Sequence, residues 1–463
     1  MTTRQSLLTI IPVAQLKDID MNRNGTTTPW AWIPTLYFAE GLPYFIVNVI
    51  SVTMFKRMGM SNGDVALYTS LLYLPWTIKP LWSPFVDVIR SKRWWIVSMQ
   101  LLISAVLICL SITLPHPDAS VIEAGDTGVS IFIITLVFFY LTAFASATHD
   151  IAADGYYMLE LDAHRQSLFV GIRNTFYRIG SIFGQGVIVV IAGLLETRYD
   201  DIPKAWTVTL LLCAVIFSCI TVYHMVMLPS PKEDVTRERH SVKEILSGAL
   251  MTFSTFFRKK EVWLAIAFML LYRLPEAFSV KMLTPFLLDA VRDGGLGLST
   301  AQSGVVYGTV GVIALLCGGI LGGVASAKWG LKKSLWPMSL SLALPCAVYL
   351  FLALYQPSQL WIVYACVAFD QFGYGFGFTA YTLYMMYFAD GEYKTSHYAL
   401  CTAFMALSMM IPGMFAGKIQ EALGYTGFFT MVMATCLATV AVTVMVRRSV
   451  RGSYGQRLQN TSK

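Results

Sequence analysis

The chain has 463 residues, of which 56% are hydrophobic and only 13% are charged. A soluble globular domain carries about 25% charged residues, so this composition excludes a soluble globular protein. The hydrophobic residues fall in blocks of about 20 or more, the length that an α-helix needs to cross a bilayer, and they predict an all-α, polytopic membrane protein. The net charge of +7 does not indicate nucleic-acid binding, because most basic residues lie in short loops on one side of the bilayer.

Twelve hydrophobic stretches are predicted to cross the membrane, six in each half of the chain. They are residues 30–55, 64–86, 94–114, 129–159, 168–196 and 205–228, then 262–288, 300–327, 334–354, 360–388, 397–419 and 427–446. The prediction divides the chain into a cytoplasmic N-terminal segment (1–29), a six-helix bundle (30–228), a cytoplasmic linker (229–261), a second six-helix bundle (262–446) and a cytoplasmic tail (447–463). The linker has hydrophobic residues at helical spacing between basic ends, which predicts an amphipathic helix on the membrane surface.

Lysine and arginine are concentrated in the loops on one side, which we expect to face the cytoplasm together with both termini. No cofactor is expected. The eight cysteines lie in hydrophobic segments without a C-x-x-C pair or a Cys/His cluster, which argues against a disulfide framework and a zinc site. No Walker motif is present, so ATP is not the expected energy source.

Residues 143–180 carry four ionisable side chains within an otherwise hydrophobic region: Asp150, Asp154, Arg173 and Arg178. Such groups are costly at membrane depth unless they are paired or hydrated, so they are candidates for function. Asp150 and Asp154 share one helix face. If the chain turns near 161–167, the helical rise places Asp150 level with Arg178 and Asp154 level with Arg173. Two interpretations stay open: ion pairs that lock two helices together, or a polar site for a solute or a proton.

Further charged and polar residues lie within the predicted helices. Glu40 and Lys79 lie at similar depth, where they can pair with each other or contact a ligand. Arg273 and Glu276 are three apart, so they can pair on one helix face or turn towards a charged solute. Asp370 and Gln371 precede alternating glycines, which favour close helix packing.

Two loops repeat one pattern: a glycine, three residues, an aspartate, a base, any residue, a glycine, any residue and two bases. The first copy keeps Asp87, Lys92 and Arg93 but has Ser83 and Arg90 at the glycine positions; the second has Gly323, Lys328, Gly330, Lys332 and Lys333, with Ala327 at the aspartate position. With twelve stretches in two halves, this resembles the loop signature of the major facilitator superfamily. The resemblance implies the fold of that superfamily. A carboxylate at a helix end and a following basic cluster can latch two halves together. We expect Asp87 and residues 90–93 to form a cytoplasmic latch that stabilises the outward-open state.

Within that superfamily the chain is most similar to AmpG-type muropeptide permeases, which are related to acetyl-CoA transporter-like carriers. The similarity lies in the segments GLPY, KPLWSPFVD, SATHDIAAD, YRIG and LYRLPEAF. It implies proton-driven import of anhydro-muropeptides, which are recycled cell-wall fragments, across the bacterial inner membrane. The polar positions that correspond to the family pattern are Ser146, Asp150, Asp154, Tyr177 and Arg178, with Tyr272–Arg273 replacing a Tyr–Lys pair and Asp370–Gln371 replacing Glu–Asn.

The sequence therefore favours a monomeric secondary transporter for a small solute and protons. Carriers of another solute, such as an oligosaccharide, an amino sugar or an acyl-CoA-like anion, are the alternative. A membrane acyltransferase is disfavoured, because His149 beside Asp150 is the one candidate arrangement and neighbouring residues point about 100° apart on a helix. We expect Asp150 to carry the coupling proton, with Glu276 in reserve, and Arg178 to bind the anionic solute.

Overall fold

The computed structural model describes residues 28–125, 127–161, 163–230, 242–391, 393–451 and 454. Regular secondary structure in these ranges is helical throughout. Nine helices, with Ser396–Ser449 counted as one, are long and hydrophobic enough to cross a membrane. The crossing segments are α1 (Pro29–Arg57), α2 (62–88), α3 (Lys92–Ile112), α4 (Val129–Glu160), α5 (Gly171–Tyr199), α6 (Ile202–Met227), α7 (Val262–Leu288), α8 (Thr300–Trp329), α9 (Leu331–Tyr355), α10 (Leu360–Ala389), α11 (394–423) and α12 (425–449).

Three of these twelve segments need comment. The helices α11 and α12 follow each other directly and are separated only by Gly424, whose φ of 67° and ψ of 173° are not helical. Segment α2 consists of the short helices Asn62–Leu71, Leu74–Ile78 and Ser83–Val88. Segment α10 is helical throughout but rich in glycine and tyrosine. With these three, the predicted all-α architecture of twelve crossing helices is confirmed.

Each half has its own hydrophobic core. In the first half, Phe55 of α1 packs edge-on against Phe132 and Phe139, at ring-centre distances of 5.3 and 5.7 Å. In the second half, the rings of Tyr272 and Tyr381 stack 5.4 Å apart. Large hydrophobic side chains also cover the outside of the molecule, such as those of Ile112, Val226 and Leu437, which suits a surface that faces lipid tails.

Two helices, one in each half, are interrupted next to a proline. Segment α2 is interrupted just before Leu74–Ile78, which has Pro75 in its first turn. Segment α7 is interrupted between Leu271 and Leu274, just before Pro275. Proline lacks the amide hydrogen that would continue the helical bonding, and a charged residue lies near each break, Lys79 in α2 and Arg273 in α7.

The two halves meet along α2 with α11 and along α5 with α8. A Cβ atom on Gly308 would lie 2.0 Å from the carbonyl oxygen of Gln185, and one on Gly417 would lie 2.0 Å from that of Asn62. Only glycine permits such close approach of two backbones.

Because α1 starts on the side of the chain termini, the start of α2 and the end of α5 lie on the opposite side. We call the side at which α1 starts the terminal side, and the side at which α2 starts the opposite side.

The linker contains the helix Val242–Phe257 ahead of α7, at the place where an amphipathic helix was predicted. Residues 231–241 of the linker, 1–27 of the N-terminal segment and 455–463 of the tail lie outside the described ranges. The bounds of the five predicted regions stay a prediction.

Candidate functional site

Five charged side chains meet inside the first half and form what we call the acidic cluster. They come from four segments: Glu40 from α1, Lys79 from α2, Asp150 and Asp154 from α4, and Arg173 from α5. The ammonium group of Lys79 binds Asp150 Oδ2. Arg173 Nη2 lies 2.5 Å from Asp154 Oδ1. The two aspartates thus each bind one cation, while Glu40 is left as a third carboxyl group.

The predicted pair of Glu40 and Lys79 is wrong, because Lys79 binds Asp150 instead. Lys79 starts a 3₁₀ turn that interrupts α2, and the adjoining part of α2 packs against α4. The helical rise of an unbroken helix predicts that Lys79 and Glu40 lie at the same depth. It does not predict which neighbouring helix the Lys79 side chain faces. The local break therefore decides the partner.

Asp150 and Arg178, which were predicted to lie at the same depth, do not form an ion pair, because Asp150 binds Lys79. The predicted pair of Asp154 with Arg173 is present. Arg173 is held further by aromatic faces, since its guanidinium lies 4.6 Å from the ring centre of Tyr37. Such a cation–π contact stabilises a cation that has left bulk water.

The acidic cluster contains three carboxyl groups and two cations. Glu40 is buried, with 7% exposure, and its Oε2 has no hydrogen-bond partner among the described residues. The carboxyl group of Glu40 interacts electrostatically with that of Asp150. Like charges close together oppose the ionisation of both groups, so two neighbouring carboxyl groups favour keeping one proton between them. The acidic cluster has one more carboxyl group than it has cations, and Glu40 is the one without an ion-pair partner among the described residues.

Arg178 lies away from the acidic cluster, towards the second half. It interacts electrostatically with Tyr44 of α1 and with Tyr374 of α10. No carboxylate of the described chain lies within 4 Å of it. Tyr177 separates it from the acidic cluster: its ring packs 6.0 Å from that of Phe45, and its carbonyl oxygen lies 3.0 Å from a Cβ placed on Gly41. Arg178 is thus a cation without a carboxylate partner among the described residues, and it acts electrostatically on tyrosines of both halves.

The predicted pair of Arg273 and Glu276 is present in α7. Arg273 Nε donates to Glu276 Oε2 at 3.0 Å, and Arg273 Nη2 donates to the hydroxyl of Tyr374 at 3.0 Å. The two charged side chains are 6% and 5% exposed. Tyr374 therefore binds the paired Arg273 directly and also interacts electrostatically with Arg178.

Asp370 and Gln371 are buried within the second half. The hydroxyl of Tyr349 donates to Asp370 Oδ2 at 2.6 Å, and Gln371 Nε2 donates to the same oxygen at 3.0 Å. These bonds satisfy the carboxylate inside the bundle. The arrangement suits the packing role suggested by the neighbouring glycines, and a role in solute binding stays a prediction.

The first loop motif contacts its own half. Arg93 donates to the carbonyl oxygens of Leu228 and Met225 at 2.9 and 2.7 Å, which caps the end of α6. Lys92 is buried with 2% exposure, and Arg90 lies 5.8 Å from the ring centre of Trp94. The side chain of Asp87 lies outside the described part of the structure. The predicted latch around it stays a prediction.

The second loop motif turns the chain between α8 and α9. Gly330 has a φ of 75°, a value that side chains other than glycine rarely adopt. The carbonyl oxygen of Lys332 accepts a hydrogen bond from Arg447 Nε at 3.2 Å, which ties the turn to α12. Gly323, Lys328 and Lys333 are exposed, on the terminal side of the molecule.

Sequence reasoning missed a set of polar contacts that joins the halves on the opposite side, which we call the opposite-side latch. One part is centred on Glu196 at the end of α5, which is only 8% exposed. Its carboxylate accepts hydrogen bonds from Arg57 Nε at 3.1 Å, Trp206 Nε1 at 2.9 Å and Thr300 Oγ1 at 2.6 Å. Thr300 starts α8, so this carboxylate bridges the two halves.

The other part of the opposite-side latch is centred on Asp289, just after α7. Lys56 Nζ lies 2.5 Å from Asp289 Oδ1, and the hydroxyl of Tyr425 donates to Asp289 Oδ2 at 2.6 Å. Asn62 Nδ2 donates to the same oxygen at 3.0 Å. The one available sequence signal was the adjacent Lys56 and Arg57, two bases on the side that otherwise carries few.

Water reaches the acidic cluster although its residues lie in membrane-crossing segments. The side chains of Lys79 and Asp150 are 27% and 22% exposed, and those of Arg173 and Asp154 are 27% and 37% exposed. The opposite-side latch joins the halves on the other side. The arrangement leaves the four paired side chains of the acidic cluster partly exposed.

Comparisons with known proteins agree with this architecture. The family model "Major Facilitator Superfamily" matches residues 35–411. The "Anhydromuropeptide permease" of Escherichia coli (strain K12) is 24% identical over 424 residues, which cover 90% of this chain and 79% of that protein. The "Putative transporter AmpG 4" of Rickettsia felis is 23% identical over 428 residues, which cover 90% of this chain and 95% of that protein.

Solved structures show the same fold. A bacterial homologue of the human lysosomal transporter Spinster, in an inward-facing and unoccupied conformation, has a TM-score of 0.69 at 13% identity, covering 91% of this chain and 96% of that chain. A D-xylose–proton symporter has a TM-score of 0.67 at 12% identity, covering 93% and 99%. With the family model matching most of its length, this chain is a membrane transporter that belongs to the major facilitator superfamily.

Proposed function

We propose that this carrier imports anhydro-muropeptides across the bacterial inner membrane together with protons, by alternating access. The observation that carries the proposal is Arg178, which has no carboxylate partner among the described residues and acts electrostatically on Tyr44 of the first half and Tyr374 of the second. An anhydro-muropeptide has carboxylates for the guanidinium and sugar rings for the aromatic faces. The E. coli relative named for this solute aligns with 90% of the chain, which supports the same choice.

We infer that the terminal side faces the cytoplasm, because its loops hold most of the lysines and arginines. The opposite-side latch then closes the periplasmic side, and the structure represents an inward-facing state. Tyr44 belongs to the first half and Tyr374 to the second, so a solute bound between them contacts both halves. Binding can therefore favour the rocking of one half against the other that alternating access requires.

The Glu40–Asp150 pair is the proposed site of the coupling proton. Lys79 binds Asp150, and it can bind that carboxylate more tightly when Glu40 releases the shared proton. Opposite charges favour the ionised form of a carboxyl group, whereas burial favours its neutral form. A movement that hydrates or separates the pair would change its proton affinity, which is what coupling to a proton gradient requires.

Uptake by the purified protein in liposomes tests the proposal. A pH gradient, acidic outside, should drive accumulation of a labelled anhydro-muropeptide, and a protonophore should abolish the accumulation. Unlabelled D-xylose and a nucleoside, which lack the carboxylates, should not compete. Accumulation of a neutral sugar or nucleoside without uptake of the anhydro-muropeptide would overturn the choice of solute.

A further inference from the structure

A buried lysine that has no role in the site described above lies between the two halves. Lys281 of α7 is 5% exposed, and its Nζ donates to Thr69 Oγ1 of α2 at 3.0 Å. The nitrogen lies 5.4 Å from the ring centre of Tyr73. Its Cε lies 3.3 Å from a Cβ placed on Gly413 of α11. The side chain is therefore enclosed by α7, α2 and α11.

The surroundings of Lys281 provide no counter-ion. Across from it, α2 presents the uncharged groups Thr69, Ser70 and Tyr73, and α11 presents Gly413. On its own helix the nearest acid is Glu276, which is bound to Arg273. Among the residues that the structure describes, none with a charge lies close enough to Lys281 to act on it electrostatically.

An ammonium group at this place would be poorly satisfied. It has three N–H donors, and the structure gives it one hydrogen-bond acceptor and one aromatic face. Burial of an unpaired charge is costly, and a lysine in such surroundings is neutralised instead. While the halves are closed on the opposite side, Lys281 is therefore held as a neutral amine.

Opening of the opposite side must change these surroundings. The helices α2 and α11 form the contact between the halves there, and Lys281 lies within that contact. When the helices part, water replaces the enclosing side chains and can hydrate a charged lysine. The lone pair of the amine then takes a proton from water, and on closing the N–H bond breaks and the proton returns to water.

We propose that Lys281 is a second proton-binding site, which is empty while the halves are closed on the opposite side and filled when they part. This inference rests on the proposed alternating access, and it is separate from the acidic cluster. It predicts that protons on the opposite side favour the open state even without solute. A carrier built this way would open towards its solute when the pH outside is low.

The distance between spin labels on the two halves tests this inference. The labels replace Lys204 of α6 and Asp293 after α7, two exposed residues of the opposite side, in a background without the exposed cysteines Cys109, Cys219 and Cys317. Lowering the pH from about 9 to about 5, a range over which buried lysines titrate, should increase the long-distance population in the otherwise wild-type protein. Lys281→Met should abolish that response, whereas the exposed control Lys418→Met should retain it.

A second variant covers the case in which Lys281→Met fails to fold. Thr69→Val removes the acceptor of the Lys281 hydrogen bond with little change in shape, so the long-distance population should appear at higher pH. An unchanged pH response in Lys281→Met, or in Thr69→Val, would overturn the inference. Because the measurement needs no solute, its outcome is independent of whether anhydro-muropeptides are transported. Loss of uptake with a retained Lys281-dependent response would reject the proposed solute alone.

Discussion

The Glu40–Asp150 pair makes a prediction at the scale of single residues. Asp150→Asn and Glu40→Gln each remove one carboxyl group from a cluster whose excess acid holds the proton. Either variant should lose solute accumulation driven by a pH gradient while it retains part of the downhill exchange of labelled for unlabelled solute. Liposome uptake and exchange measure the two activities separately, with Glu123→Gln in the short exposed helix Ala119–Ala124 as the control.

The second half offers the competing assignment. Its paired Glu276 is buried beside Arg273, and it is the reserve candidate for the coupling proton. If Asp150→Asn and Glu40→Gln both still accumulate solute and Glu276→Gln does not, the coupling proton binds in the second half.

Arg178 makes a second prediction at this scale. A hydrogen bond to a charged group contributes about 1.5–3 kcal/mol, so Arg178→Ala should weaken solute binding roughly 10- to 150-fold. The exchange rate at saturating solute should change less than the half-saturating concentration. Arg292→Ala, which removes an exposed arginine on the opposite side, serves as the control, and equal affinity in Arg178→Ala and this control would show that Arg178 does not bind the solute.

Single residues also show where prediction from the sequence ends. Spacing along the chain identified the pairs Arg273–Glu276 and Asp154–Arg173, because one lies three residues apart at a helix start and the other lies across one short turn. The partner of Lys79 depends on a break within α2, which hydrophobic patterning does not reveal. Glu196 was counted only as the last residue of a hydrophobic stretch, because nothing local indicates that it contacts Thr300 of the other half.

At the scale of elements, the contact between Lys56 and Asp289 makes a third prediction. Asp289→Asn removes the charge that holds Lys56 of α1 to the second half but keeps a hydrogen-bonding side chain. The closed population of the opposite side should fall, so a cysteine placed near the latch should be alkylated faster from outside. Asp293→Asn, close by in a pair that is 83% and 61% exposed, is the matched control.

The direction of that effect is specific to the latch. A merely structural role of Asp289 would lower the stability of the whole protein, whereas loss of the latch changes the ratio of two folded states. Alkylation rates that are equal in Asp289→Asn and Asp293→Asn, at equal thermal stability, would contradict the role assigned to the latch.

At this scale the sequence predicted the helices better than their contacts. Hydrophobic length is sufficient to place a crossing helix, which is why twelve stretches were foreseen. The contact of α5 with α8 depends on glycines such as Gly308, whose missing side chain permits the approach of Gln185. A glycine within a hydrophobic stretch does not indicate which distant segment it will meet.

At the scale of the whole molecule, the two halves are joined on the opposite side, and the charged side chains of the acidic cluster are partly exposed. We interpret this arrangement as one state of a carrier. In the proposed transport cycle, the opposite-side latch and Lys281 belong to the contact that opens, and the acidic cluster and Arg178 are reached from the terminal side. Coupling of solute to proton then requires that both sites change their access in the same movement. The central claim is therefore that solute and proton cross together.

Proton flux driven by a solute gradient alone measures that coupling most directly. The protein is placed in liposomes with equal pH inside and outside, a pH-sensitive dye reports the interior, and anhydro-muropeptide is added outside. The account predicts that the interior becomes acidic as the solute enters and that Asp150→Asn takes up solute without this acidification. Entry of solute into the wild-type liposomes with no change in interior pH would contradict it.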